Sequence, residues 1–76
     1  MEKIKISNEV YDALMEWKNN LLSSKRIYSF DIADMFNEPE ICYWWRGKDE
    51  GTDSNNRLIE IIRWVNGEDV FELEDN

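Results

Sequence analysis

From Asn8 to about Ser23 the apolar positions recur at helical spacing. Val10, Leu14, Trp17 and Leu21 fall at offsets of 0, 4, 7 and 11, with Ala13 beside them, and so share one face of an α-helix. Just before them, Lys3-Ile4-Lys5-Ile6 alternates polar and apolar, the period of a half-buried strand. Ser7 stands between the two patterns, where an N-cap belongs. A polar break at Ser23-Ser24-Lys25-Arg26 reads as a loop. Ser29 is placed to cap a short helix, Phe30 to Phe36, with Phe30, Ala33 and Phe36 on one face. Asn37 or Glu38 caps a third helix that has Pro39 in its first turn, runs to Arg46 and closes on Gly47.

Lys48 to Asn55 is the most polar stretch and the best loop candidate. Ser54 or Asn55 is expected to cap the last helix, in which Leu58, Ile61, Ile62 and Val65 fall at offsets of 0, 3, 4 and 7. Asn66-Gly67 ends it, and Val70 to Leu73 reads as a strand. Glu74-Asp75-Asn76 is expected to fray. The fold predicted for residues 1–76 is one small α+β domain. About four short helices pack over a two-stranded antiparallel sheet formed by the N- and C-terminal strands. Its expected core is Ile6, Val10, Leu14, Trp17, Leu21, Phe36, Leu58, Ile62 and Val65.

Charge changes this picture from fold toward function. Seventeen Asp and Glu face nine Lys and Arg, a net charge of −8 on 76 residues, and there is no histidine. The excess disfavours a polyanionic partner and suits a basic one. The missing histidine removes the commonest general base near neutral pH. With no nucleophile–base pair, no phosphate-cradling glycine loop and no Cys/His cluster in the sequence, we expect no enzyme, no metal and no cofactor. Asp49-Glu50-Gly51-Thr52-Asp53 lacks the alternating ligands of a calcium loop, and Ile61 stands where the bidentate Glu would be. Cys42 is the single cysteine, so no internal disulfide forms, and a buried structural thiol is expected. No apolar run is long enough for a membrane span and no signal core opens the chain, which points to the cytosol.

Two acidic sets are candidates for partner binding. Glu9, Asp12 and Glu16 form a stripe on a flank of the first helix, and Glu68, Asp69, Glu72, Glu74 and Asp75 crowd the last nine residues. If the first helix packs beside the last strand, the sets share one face. The competing reading is a solvated face that only confers solubility. The run Tyr43-Trp44-Trp45-Arg46 is the second candidate, because a helix cannot bury three adjacent aromatics on one face. Trp45 and Ile41 are expected inside, while Trp44 or Tyr43 covers the edge or, with Arg46, anchors an interface. The partner-binding set is therefore Glu9, Asp12, Glu16, Tyr43, Trp44, Arg46, Glu68, Asp69 and Glu72. Trp64 is expected to seal the rim of the core, and Arg57 and Arg63 to pair with nearby carboxylates.

Two stretches resemble the small uncharacterised proteins of phages and prophages of low-GC Gram-positive bacteria. They are Lys3-Ile4-Lys5-Ile6-Ser7 with Val10 and Trp17, and Arg63-Trp64-Val65-Asn66-Gly67-Glu68-Asp69-Val70, together about a third of the chain. Glu68 departs from the Tyr those proteins often carry there. The resemblance implies a protein acting in the host cytosol that binds and inhibits a host nucleic-acid-handling or defence protein, as anti-CRISPR proteins and DNA mimics do. The expected partner is a host protein with a basic surface, with no direct nucleic acid and no membrane, and the chain is a monomer or homodimer. The alternative is a self-associating structural or regulatory module.

Overall fold

In the computed structural model, which describes residues 3–23, 26–47 and 51–74, six elements follow one another. They are β1 (Ile4–Ile6), α1 (Asn8–Asn19), α2 (Ser29–Phe36), α3 (Pro39–Arg46), α4 (Thr52–Val65) and β2 (Phe71–Leu73). The α1 N-terminus is capped as its sequence predicts, the Val10 N–H donating to Ser7 Oγ at 3.3 Å. The helix ends at Asn19, short of the Ser23 expected. In α3, Pro39 occupies the first turn and Gly47 closes the helix at φ +62°. Gly67 takes φ +100° after α4. The expected loop readings at 24–25 and 48–50, and the fraying of 75–76, lie outside the described residues.

The two terminal strands do pair, but in parallel, which corrects the antiparallel sheet expected. Ile4 faces Phe71, Lys5 faces Glu72 and Ile6 faces Leu73. The Ile4 N–H donates to the Val70 carbonyl at 2.8 Å, and the Glu74 N–H to the Ile6 carbonyl at 2.9 Å. Glu74, expected to fray, is thus tied to the sheet. The reason for the reversal lies outside the strands. Parallel strands need a long crossover, and all four helices supply it here. Alternating residues place apolar opposite apolar in either direction, so the strand pattern does not encode the sense.

The core comprises Ile6, Val10, Ala13, Leu14, Trp17, Met35, Ile41, Ile61, Trp64, Val70 and Phe71. Leu21, Phe36, Leu58 and Val65, expected inside, are half-buried around it. Ile62, also expected inside, is 39% exposed. The buried face of α4 is instead Ser54, Ile61 and Trp64. Trp64 is therefore core and not rim. Its ring meets Tyr11 edge-on at 6.1 Å and Phe71 at 5.6 Å, which turns the helix toward the larger side chain. Ser54 lies inside α4 and does not cap it. Its hydroxyl donates to the Arg46 carbonyl at 3.3 Å, and Arg57 Nη1 donates to the Trp44 carbonyl. The first gives a partner to the Arg46 carbonyl at the end of α3, and the second adds to the Gly47 N–H, which the Trp44 carbonyl also accepts at 3.2 Å.

The inward face of α2 also differs from expectation. Asp31 and Met35 are buried, while Phe30 is 50% exposed and Ala33 is exposed. Asp31 turns inward because Oδ2 accepts the Tyr28 N–H at 2.9 Å, tying off the start of the helix. Its own carbonyl accepts the Trp17 indole N–H at 2.8 Å.

Candidate functional site

The two acidic sets have different surroundings. In the C-terminal set, Glu68 accepts from Arg63, whose Nη2 lies 3.0 Å from Oε1, and Arg63 also lies 3.7 Å from Glu60. Asp69 pairs with Lys3 at 2.7 Å. Glu72 stands across from Lys5 and, with Leu73 and Glu74, the two line a shallow groove on the sheet. The hydrogen bond that Lys3 donates to Asp69, helped by the carboxylate's charge, raises the Lys3 pKa above the ordinary lysine value. Glu68 raises Arg63 in the same way. Exposed pairs of this kind contribute little to stability. They do cancel charge locally, so this end is not a bare negative face.

The α1 stripe is different. Glu9, Asp12 and Glu16 are all exposed, and among the described residues none makes an ion pair. Glu9 lies in the first turn, where the helix dipole favours it. Glu16 does more. It walls a groove of about 280 Å³ between α1, α2 and the start of α3, lined by Glu16, Trp17, Asn20, Asp31, Asp34, Asn37 and Glu38. Four carboxylates and two amides thus surround one cleft, and among the described residues no cation lines it. Asp34 and Glu38, like Glu16, make no ion pair among the described residues.

The groove follows from local structure. Trp17 sits on the buried face of α1 beside exposed Glu16, and its bond to the Asp31 carbonyl fixes α2 against it. Asp34 and Asn37 lie three residues apart, at neighbouring positions on the outward side where α2 ends. Glu38 is the residue before Pro39, and its carbonyl accepts the Cys42 N–H at 2.9 Å. Asp34 and Glu38 are not in the set predicted from sequence. The only signal for Asp34 there is outward spacing on a helix whose face the sequence misreads, and Glu38 figures there as a candidate cap of α3, the position it takes.

The aromatic candidates separate. Tyr43 is 72% exposed, with the Arg46 guanidinium 6.0 Å from its ring, so these two form an outward flank of α3. Trp44 is half-buried and structural. It meets Phe71 edge-on at 5.8 Å and lies under Arg57 at 5.1 Å. Trp45 packs against Phe36 at 4.6 Å, and among the described residues its buried indole N–H finds no acceptor. Ile41 is fully buried and Cys42 half-buried. A second aromatic pair, missed in the sequence, stands at the entry to α2. The Tyr28 and Phe30 rings stack at 5.3 Å with planes 4° apart.

Among the described residues no group of three or more His, Cys, Asp or Glu could hold a metal ion. No described helix is long and apolar enough to cross a membrane. The chain matches no family model, no curated protein and no solved structure.

Proposed function

We propose that this chain is a binding protein that docks its acidic α1–α2 groove on a basic surface of a nucleic-acid-handling protein and blocks that surface. The observation that carries the reading is the contrast between the two acidic sets. Glu68 and Asp69 are matched by Arg63 and Lys3, whereas Glu16, Asp34 and Glu38 converge on one groove that no cation lines among the described residues. Uncompensated carboxylates on a chain of net charge −8 would steer a basic partner quickly and in a salt-sensitive way. Glu9 and Asp12 extend the negative stripe along α1, and Tyr43 with Arg46 offers a second, aromatic contact.

Inhibition follows from competition. A basic groove filled by carboxylates cannot also hold phosphates. The expectation drawn from small phage proteins, an inhibitor of a host nuclease, repair or transcription enzyme in the host cytosol, is of this kind.

The test is capture from host lysate by the immobilised chain at low and moderate salt, with added duplex DNA as competitor. The expected result is a nucleic-acid-binding protein released by both salt and DNA. No protein above control, or one indifferent to both, overturns the reading.

A further inference from the structure

We infer that the chain forms a two-fold dimer through the outward face of α4, on which the same helix of a second copy packs antiparallel. The inference stands apart from the acidic groove and concerns a surface that the proposed function leaves unused.

Four exposed residues define the face. Asn55, Ile59, Ile62 and Asn66 fall at offsets of 0, 4, 7 and 11, opposite the buried Ser54, Ile61 and Trp64. That alternation of four and three is the seam into which a second helix packs. Ile59 is 53% exposed and Ile62 39%, so two large apolar side chains meet water at its centre. Leu58 and Val65, both half-buried, flank them on one side. The apolar surface runs on past Val65 to Leu21, which lines a shallow pocket with it at the end of α1, and Leu22 beyond is exposed.

Two observations select a second copy as the occupant. The first is symmetry. The order amide, Ile, Ile, amide, spaced four, three and four, reads the same in both directions. A two-fold axis between Ile59 and Ile62 therefore sets Ile59 of one copy against Ile62 of the other, and Asn55 against Asn66. The paired amides hydrogen-bond across the seam and fix its register. The second observation is charge. At −8 each, two copies repel over most of their surface. α1, α2 and α3 all expose charged residues, Glu9, Asp34 and Glu40 among them, whereas no exposed position of α4 is charged. Arg63, beside the seam, is already paired with Glu60 and Glu68. The face on which two such chains meet with least repulsion is thus also self-complementary.

One helix and the end of another make a contact of the small, transient class, below about 1,200 Å². The dimer is therefore weak and concentration-dependent. No residue lining the acidic groove lies on α4, so both grooves stay open in it.

The test is sedimentation equilibrium from micromolar to millimolar chain, with circular dichroism melts to confirm that each variant folds. The mass is expected to rise toward twice that of the chain. Added salt should strengthen the dimer by screening the repulsion between copies, the opposite of its expected effect on docking at the groove. Ile59→Lys and Ile62→Lys, both at exposed positions, should each weaken it about tenfold or more. The double variant Asn55→Glu/Asn66→Lys should tighten it, because antiparallel copies set Glu against Lys twice, whereas parallel copies would set like charges together. A chain that stays monomeric at millimolar concentration overturns the inference and leaves the groove reading standing. So does a dimer indifferent to both Ile variants, one that salt dissociates, or one that the double variant weakens.

Discussion

The indole N–H of Trp17 donates to the main-chain carbonyl of Asp31 across 2.8 Å, joining α1 to α2 at the floor of the acidic groove. Both residues are buried, so the bond has no solvent substitute. Trp17→Phe keeps most of the ring volume and removes the donor. It should destabilise the chain by about 1–3 kcal/mol, the cost of an orphaned buried acceptor. Urea denaturation followed by circular dichroism measures this. A loss below about 0.5 kcal/mol would mean that packing alone holds the groove floor.

Gly47 is a second point where one residue type is required. Its φ of +62° with ψ of −160° is a region open essentially to glycine alone. A Cβ there would stand 2.6 Å from Asp53 Cβ. Gly47→Ala should cost at least about 1–3 kcal/mol, and each kcal/mol lowers the melting temperature of a domain this small by roughly 4–8 °C. A thermal melt unchanged by this substitution would contradict the conformation of Gly47 at the end of α3.

Much of the fold is legible in residue pattern. Ser7 as cap, Pro39 and Gly47 as bounds of α3, and Gly67 after α4 all follow from local chemistry. The sense of the sheet is not legible, because Ile4 and Ile6 alternate identically whichever way Phe71–Leu73 runs. The path of four packed helices decides it. In α2, two stripes compete: Phe30, Ala33 and Phe36, or Asp31 and Met35. The second is the buried one because Asp31 bonds the Tyr28 N–H and Trp17 bonds Asp31. A carboxylate buried for its local hydrogen bonds leaves no trace in a hydrophobic count. The groove depends on that same packing, so Glu16 was a visible candidate while Asp34 and Glu38 were not.

The Lys3–Asp69 pair gives a pH signature. A lysine whose pKa is raised on folding contributes stability that is fully present below its ordinary value of 10.5 and is lost as pH rises through the folded one. Lys3→Gln should therefore melt slightly lower than the parent at pH 7, with the two curves converging at strongly alkaline pH. Thermal melts of both across pH 7 to 12 check this. A gap that widens with pH would contradict the pairing.

Tyr43 and Trp44 are neighbours with opposite expected roles. Tyr43→Ala should change stability by no more than about 0.5 kcal/mol, as at an open surface site, while lowering partner binding by about 1 kcal/mol or more. Trp44→Ala should lose a large part of the roughly 3–5 kcal/mol that truncating a buried Trp costs, since its ring lies between Phe71 and Arg57. Paired denaturation and binding measurements separate the two. A destabilised Tyr43→Ala would place that ring in the packing.

The central claim is that the location of the negative charge matters and not its total. Two variants remove the same three charges: Glu16→Gln/Asp34→Asn/Glu38→Gln at the groove, and Glu68→Gln/Asp69→Asn/Glu72→Gln at the C-terminal end. Partner capture at moderate salt, compared between them, is the most direct measurement. The groove variant should lose capture and the C-terminal variant keep it. Equal loss in both, or loss in the C-terminal variant alone, would contradict the account.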